Sequence, residues 1–222
     1  GIKKELRVQH LPWPVASVVT QVVVDREDPA FLKPTKPIGS FMTEGEMNRL
    51  KEQNPDMAFI EDSGRGYRRV VPSPKPVDIV ERDSILNLLD NEYIVIACGG
   101  GGIPVYADEN GDFVGVPAVI DKDFASAKLA ELVDADYLFI LTAVDRVAVN
   151  FGTPQQKDLE TMTVREANAY CEQGQFAPGS MLPKVQAAVS FAKSGKNKRA
   201  VIASLKNAPL AMKGKSGTLI MQ

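Results

Sequence analysis

The stretch Tyr93-Ile94-Val95-Ile96-Ala97-Cys98-Gly99-Gly100-Gly101-Gly102 joins an apolar run to four consecutive glycines. The apolar run predicts a buried strand because it is short, continuous and rich in β-branched residues. The glycines expose backbone N–H groups with no side chain in the way, so the main chain can approach a small anion. Ligands of open parallel sheets bind at the carboxyl ends of the strands, and this position therefore predicts a binding site. A flexible surface turn is the alternative, since four glycines alone are not specific.

The composition excludes several classes of protein. The 222 residues include 26 Lys and Arg, 28 Asp and Glu and one histidine, and the net charge of −2 is not that of a nucleic-acid-binding protein. No apolar run approaches the roughly 20 residues that span a bilayer, so we expect a cytoplasmic protein without a membrane partner. The two cysteines, Cys98 and Cys171, lie far apart, and we expect neither a disulfide scaffold nor a protein-built metal site. With His10 as the one histidine, Ser–His and Cys–His catalysis are disfavoured.

The alternation of predicted strands and helices indicates an α/β fold. Short apolar runs predict strands over residues 15–24, 93–97, 137–142, 200–205 and 218–221. Helical spacing, capping boxes and a helix-starting proline predict helices over residues 43–53, 77–90, 123–133, 163–173 and 183–194. A hairpin turn is expected at residues 110–112, followed by a strand-free run to residue 119. This order predicts a mostly parallel sheet with helices on both faces.

Residues 25–76 differ in character from the rest of the chain. They contain many prolines and charges and the glycine-punctuated run 62–66. We interpret this span as an inserted lobe of hairpins and turns around the helix 43–53. The main domain then resumes and occupies residues 77–222.

Three lysines stand where a lysine is locally unfavourable or stiffly held. Lys122 lies between Asp121 and Asp123 at a predicted helix start, and Lys184 lies in the first turn of another helix. The helix dipole disfavours a cation at both places by about 0.3–1 kcal/mol, whereas a phosphate would use the free N–H groups and the lysines together. Lys36 lies in a proline-stiffened segment of the lobe, which can present one side chain across a cleft. The alternatives are that each lysine points into water and that the segment around Lys36 is only a turn.

Neither standard nucleotide-binding signature is present. The run Gly214-Lys215-Ser216 ends like a P-loop, but Pro209 stands where the first glycine belongs, and the four glycines lead to Ile103-Pro104 rather than to a helix. Lysines and backbone N–H groups, with Mg²⁺ bridging nucleotide phosphates, suit phosphoryl transfer, which needs alignment and charge neutralisation. An acceptor oxygen that is already ionised needs no general base, so the lack of a candidate catalytic histidine is no obstacle.

Six segments, in order along nearly the whole chain, resemble those of the carbamate kinases. They are PTKPIG at 34–39, EDSGRGYR at 61–68, VVPSPKP at 70–76, GGGGIP at 99–104, AVIDKD at 118–123 and FAPGSMLPK at 176–184. The resemblance implies a three-layer α/β/α sandwich of the amino-acid-kinase type, with residues 25–76 as a protruding subdomain. It also implies a homodimer that reversibly transfers phosphate between MgATP and carbamate, giving carbamoyl phosphate and ADP, in arginine or agmatine breakdown.

The resemblance also implies a role for each motif residue. Lys122 would stabilise the moving phosphoryl group, Asp123 would orient the lysines, and Lys184 would bind nucleotide phosphates. Lys36 would reach in from the lobe. The glycines Gly99, Gly100, Gly101 and Gly102 would lie beside the carbamoyl group, and the nucleotide would contact Asp121, Asn150, Phe151, Met181 and Leu182.

Two family motifs have no counterpart in this sequence. The Gly-Gly-Asn turn after the family's first strand and the Gly-Asn-Gly-Pro-Gln-Val-Gly loop are both absent. The resemblance therefore covers the C-terminal two-thirds of the family's domain, with residues 1–24 as a remnant of the N-terminal lobe. We expect little turnover from this part alone, and the alternative function is a nucleotide-binding fragment or assembly partner. A kinase of a larger carboxylate is disfavoured by the insert.

Overall fold

A computed structural model describes residues 1–62 and 64–222, and Ser63 of the segment 61–68 lies outside the described residues. The helices are α1 Ile2–Val8, α2 Glu44–Gln53, α3 Arg82–Asp90, α4 Lys122–Leu132, α5 Val164–Glu172, α6 Met181–Lys193 and α7 Ala208–Ala211. The strands are β1 Val15–Ser17, β2 Gln21–Val24, β3 Lys36–Met42, β4 Ala58–Glu61, β5 Tyr67–Val71, β6 Pro76–Ile79, β7 Ile94–Ile96, β8 Ile103–Ala107, β9 Phe113–Gly115, β10 Tyr137–Thr142, β11 Val147–Val149, β12 Lys157–Leu159, β13 Thr161–Thr163, β14 Arg199–Ser204 and β15 Thr218–Met221.

The C-terminal sheet, in the order β10-β14-β15-β13, positions the two helices that carry Lys122 and Lys184. Strands β10 and β14 are parallel, and the chain enters them from α4 and α6 respectively. A helix that runs into a parallel strand begins at the rim where that strand ends. The first turns of α4 and α6 therefore lie at the same carboxyl rim of the sheet.

Small side chains allow these helices to pack closely on one another and on the sheet. Ala127 of α4 and Ala187, Ala188 and Ala192 of α6 are buried in one core cluster with Ile140 of β10. An alanine contact brings two backbones nearer than a leucine contact does, and the packed interior leaves few voids. The close packing of α4 on α6 fixes the distance between their first turns.

The glycine turn at the end of β7 lies against the residues that precede α4. Gly101 has φ +107°, and a Cβ there would stand 2.2 Å from the carbonyl oxygen of Ile120. Gly102 has φ +81°, and its Cβ would stand 2.4 Å from Cγ2 of Val22. Since no side chain fits at either position, glycine is what allows this turn to reach the start of α4.

The lobe is an antiparallel sheet, β3-β5-β4, with α2 packed against β5. Thr43 and Glu46 form the predicted capping box at the start of α2. Strand β6 pairs with β2 of the main body and not with the lobe strands, so the chain has left the lobe sheet by residue 76. The assignment of residues 25–76 to a separate lobe, with its bounds, stays a prediction.

The structure corrects three predicted elements. The helix predicted over residues 77–90 is wrong at its start, where β6 pairs with β2 before α3 begins at Arg82. The single strand predicted over residues 15–24 is two strands, because β1 pairs with β7 and β2 pairs with β8. The run after the 110–112 turn contains β9, the second strand of the hairpin. Among the described residues, no helix is both long and apolar enough to cross a membrane.

We predict that Gly101→Ala destabilises the protein by about 2–4 kcal/mol, since it combines a strained positive φ with a backbone clash. Urea denaturation followed by circular dichroism measures the change. Gly99→Ala is the matched control: Gly99 has open space at its Cβ and no positive φ. Equal stability of the two variants would show that the turn does not press on α4.

Candidate functional site

Three ammonium groups meet two carboxylates at the first turn of α4. Nζ of Lys184 donates to Oδ2 of Asp123 at 2.8 Å, and Nζ of Lys122 lies 3.5 Å from Oδ1 of the same carboxylate. Nζ of Lys36 donates to Oδ2 of Asp121 at 2.5 Å. We call these five residues the lysine cluster. The predicted convergence of the lysines is thus present, and the cluster carries one net positive charge in a chain whose net charge is −2.

The three lysines differ in how firmly they are held. The side chain of Lys184 is 13% exposed and that of Asp123 is 9% exposed, so this ion pair is shielded from water. The side chain of Lys122 is 65% exposed, and its separation from Asp123 is too long for a hydrogen bond. Lys184 is therefore a fixed charge, whereas Lys122 can move towards a ligand.

Asp121 joins the lobe to the helix. Its Oδ1 accepts the N–H of Asp123 at 2.9 Å and caps α4, while its Oδ2 holds Lys36. Burial raises the pKa of the Asp121 carboxyl, but the hydrogen bonds from Lys36 and Asp123 and the charges of Lys36 and Lys122 outweigh it. The pKa of Asp121 consequently lies below its ordinary value.

The glycine turn presents backbone donors next to this cluster. The N–H groups of Gly101 and Gly102 are used within the turn, by the carbonyls of Cys98 and Gly99. Those of Gly99 and Gly100 have no acceptor in the part of the chain that the structure describes. Burial, with the charge of Glu81 and against a hydrogen bond with Thr20, raises the pKa of the Cys98 thiol to about 11. The thiol is therefore protonated at neutral pH, and the donors of the turn are amides.

A small apolar pocket of about 140 Å³ lies between the loop after β10 and the start of α6. Its lining residues are Val144, Arg146, Ala148, Phe151, Gln175, Phe176, Ala177, Ser180 and Met181. Phe151 and Met181, which the resemblance implies as nucleotide contacts, are thus brought together from separate segments. Leu182 packs instead against the main core cluster, and the N–H of Asn150 donates to Oε1 of Gln175 at 2.8 Å. Asn150 and Leu182 remain predictions as nucleotide contacts.

Sequence reasoning missed a polar network at the ends of β10 and β14. Asp145 accepts hydrogen bonds from the hydroxyl of Ser204 and from Nδ2 of Asn207, and these bonds keep the pKa of Asp145 below its ordinary value. The network fixes the loop that leads into the apolar pocket. A signal was available, because Asp145 and Ser204 each stand at the carboxyl end of a predicted strand.

Comparisons with known proteins identify the family of this chain. The family model of the amino acid kinases matches residues 39–204. Carbamate kinase of Clostridium perfringens is 57% identical over all 222 residues, which span 70% of that protein. The chain belongs to the carbamate kinases of the amino acid kinase family. The expected fold class, the α/β sandwich of that family, is confirmed.

Other carbamate kinases agree in sequence and in structure. The carbamate kinase of Lentilactobacillus hilgardii is 55% identical over 99% of this chain and 69% of its own length. The solved structure of carbamate kinase from Giardia lamblia bound to AMP-PNP superposes with a TM-score of 0.88 at 44% identity, over 99% of this chain and 69% of that one. That relative binds an ATP analogue.

We predict that Lys36→Met raises the pKa of Asp121, because burial raises this pKa and the substitution removes the hydrogen bond and the charge of Lys36, which lower it. Since the folded-state pKa is depressed, the carboxylate stabilises the protein above its unfolded pKa of about 3.9 and loses this effect as the pH falls through the folded value. NMR titration of the carboxyl carbon measures the shift. The control is Lys33→Met, which removes an exposed lysine three positions away. Equal titration curves for the two variants would contradict the ion pair.

Proposed function

We propose that the lysine cluster of this carbamate kinase transfers a phosphoryl group between MgATP and carbamate, giving ADP and carbamoyl phosphate. One observation carries the proposal: Lys36 and Lys184 both reach carboxylates at the start of α4. Lys36 lies 85 positions from its partner Asp121, and Lys184 lies 61 positions from its partner Asp123. Concentrated positive charge at a helix N-terminus is suited to a phosphate.

The reaction needs charge neutralisation more than proton transfer. A carbamate oxygen forms a bond to the γ-phosphorus of ATP as the bond from that phosphorus to the bridging oxygen breaks, and the electron pair leaves with ADP. The attacking oxygen is already anionic, so no proton has to be removed. Negative charge spreads over the moving group, and positive side chains lower the energy of that state.

Lys122 and Lys184 take different parts in this step. Lys122, exposed and loosely paired, follows the phosphoryl group between donor and acceptor. Lys184, shielded and hydrogen-bonded to Asp123, stays with the nucleotide phosphates. Asp123 orients both ammonium groups because its two oxygens face one lysine each. Lys36 adds a third charge from the lobe, exchanging Asp121 for phosphate oxygens when substrate binds.

The glycine turn and the apolar pocket complete the proposal. The free N–H groups of Gly99 and Gly100 suit the small anionic head of carbamate, and the tight approach of Gly101 and Gly102 keeps them in place. The pocket that contains Phe151 and Met181 suits a flat base, which would lie near the phosphates at Lys184, three residues from Met181.

The residues at the site fit a Mg²⁺ ion that arrives with the nucleotide. Among the described residues, no three carboxylate, histidine or cysteine side chains group closely enough to hold a metal ion by themselves. Mg²⁺ is usually bound by one or two carboxylates together with substrate phosphates, and Asp121 and Asp123 are the carboxylates available. When bound, the ion would supply positive charge that neutralises the phosphates.

The remaining parts of the proposal rest on the resemblance. They are a homodimeric assembly, a cytoplasmic location and a place in arginine or agmatine breakdown, where carbamoyl phosphate drives ATP formation. Light scattering after size exclusion tests the assembly, with a mass near 24 kDa as the opposing result.

We predict that Lys122→Ala lowers the rate of ATP formation from carbamoyl phosphate and MgADP at least about 100-fold, as the loss of a transition-state donor does. A luciferase-coupled assay measures the rate. Binding of MgADP should change less than threefold, because Lys184 and the apolar pocket remain.

The matched control is Lys128→Ala, which removes a lysine of the same helix that pairs with Glu131. The proposal fails if the unsubstituted chain forms ATP and both variants keep its rate. Binding of MgADP without ATP formation by the unsubstituted chain would favour the alternative, a nucleotide-binding fragment.

We predict that Phe151→Ala weakens MgADP binding about fivefold, equivalent to the roughly 1 kcal/mol of one aromatic stacking contact, and leaves pyrophosphate binding unchanged. Isothermal titration calorimetry measures both. Leu205→Ala serves as control because its side chain is equally exposed, at 71%, and lies outside the pocket. Equal weakening of both ligands would place Phe151 away from the base.

A further inference from the structure

Arg69 lies on the same face of the lobe sheet as Lys36. In the antiparallel pairing of β3 with β5, Lys36 stands opposite Val71 and Ile38 stands opposite Arg69. Directly opposed residues share a face, and so do residues two apart on one strand. Arg69 is therefore the diagonal neighbour of Lys36, about 7 Å away between Cβ atoms in an ordinary sheet.

This face meets the start of α4. Lys36 reaches across to Asp121, and the N–H of Val119 donates to the carbonyl of Pro72, the residue after β5, at 3.0 Å. The base of the lobe is thus fixed against the residues that lead into the lysine cluster. Arg69 lies two residues before Val71 on β5 and therefore stands on the side of the lobe that faces this cluster.

Nε of the Arg69 guanidinium has no acceptor among the described residues. This atom is shielded from solvent, and no ion pair or ring contact of Arg69 occurs in residues 1–62 and 64–222. Two arginines nearby in the chain are engaged: Arg65 and Arg68 both stack on Phe41, and Arg68 donates to the carbonyl of Gly39. A shielded donor without a partner is unfavourable, and a charged one more so.

We propose that Arg69 is a substrate-binding residue that, with Lys36, holds the oxygens of the transferred phosphoryl group from the lobe side. The inference deepens the proposed function and rests on it. A guanidinium offers parallel N–H donors that match two phosphate oxygens, whereas Lys36 supplies a point charge. A phosphate between them would give Nε its missing acceptor and would connect the lobe to the main body. Arg69 thereby makes the site specific for a phosphorylated substrate.

The test uses the 222-residue chain and inorganic phosphate as the probe, at saturating MgADP, with binding measured by calorimetry. We expect Arg69→Gln to weaken phosphate binding at least tenfold. Arg69→Lys keeps the charge but not the parallel N–H donors, and we expect it to weaken binding about threefold. Arg65→Gln removes an exposed arginine of the same lobe and should change binding less than twofold.

The outcomes separate this inference from the proposed function. Unchanged MgADP binding in all variants, with phosphate binding lost only on substitution of Arg69, supports both. Phosphate binding by Arg69→Gln and Arg69→Lys that equals that of Arg65→Gln overturns the role of Arg69, while the proposed function stands or falls separately, on ATP formation by the unsubstituted chain and its loss in Lys122→Ala. If Arg69→Gln does not fold, as seen by circular dichroism, the result for Arg69→Lys decides.

Discussion

The ion pair between Lys184 and Asp123 connects the first turn of α6 to the first turn of α4, and the other parts of the site are arranged around it. Both side chains are largely shielded from water. Breaking such a pair by removing one partner costs about 3–5 kcal/mol, yet the intact pair adds little stability over an apolar contact because both charges lose hydration. Its value lies in geometry: it holds a cation at the place where two helix dipoles also favour an anion.

The pair depends in turn on backbone packing. Alanines bring α4 and α6 close together, Gly101 brings the turn after β7 against Ile120 before α4, and Gly102 brings it against Val22 of β2. Each contact is a close approach that a larger side chain would prevent. The donors of Gly99 and Gly100, the dipole of α4 and the ammonium of Lys184 therefore converge because small residues remove the volume between them.

The lobe is attached to this centre through charge. Lys36 and Asp121 form a hydrogen-bonded pair that is partly exposed, and such a pair exchanges partners more readily than the shielded one below it. In the proposed function a phosphate would compete with Asp121 for Lys36, and it would also offer Arg69 an acceptor that Nε lacks among the described residues. Substrate binding and the position of the lobe are consequently linked by the same few charges.

Local patterns in the sequence located five of the seven helices among the described residues, but they missed α1, α7 and the short strands β11, β12 and β13. The capping boxes at Thr43 and Thr163 and the strand at residues 137–142 all appear as predicted, because each depends on contacts within four residues or on a continuous apolar run. The start of the predicted helix 77–90 is wrong because Val77 and Val80 fit helical spacing, whereas pairing with β2 decides the conformation.

The motifs also identified the lysines, but not how they are arranged. Which carboxylate holds which lysine, that Lys122 is loose and Lys184 fixed, and that Asp145 binds Ser204 are properties of contacts between residues some 60 to 85 positions apart, except for the adjacent Lys122 and Asp123. The sequence by itself determined the α/β class and the chemistry of the donors. Only the tertiary structure decided their pairing and the isolation of Arg69, because both are set by the register of strands and the packing of helices that no local pattern encodes.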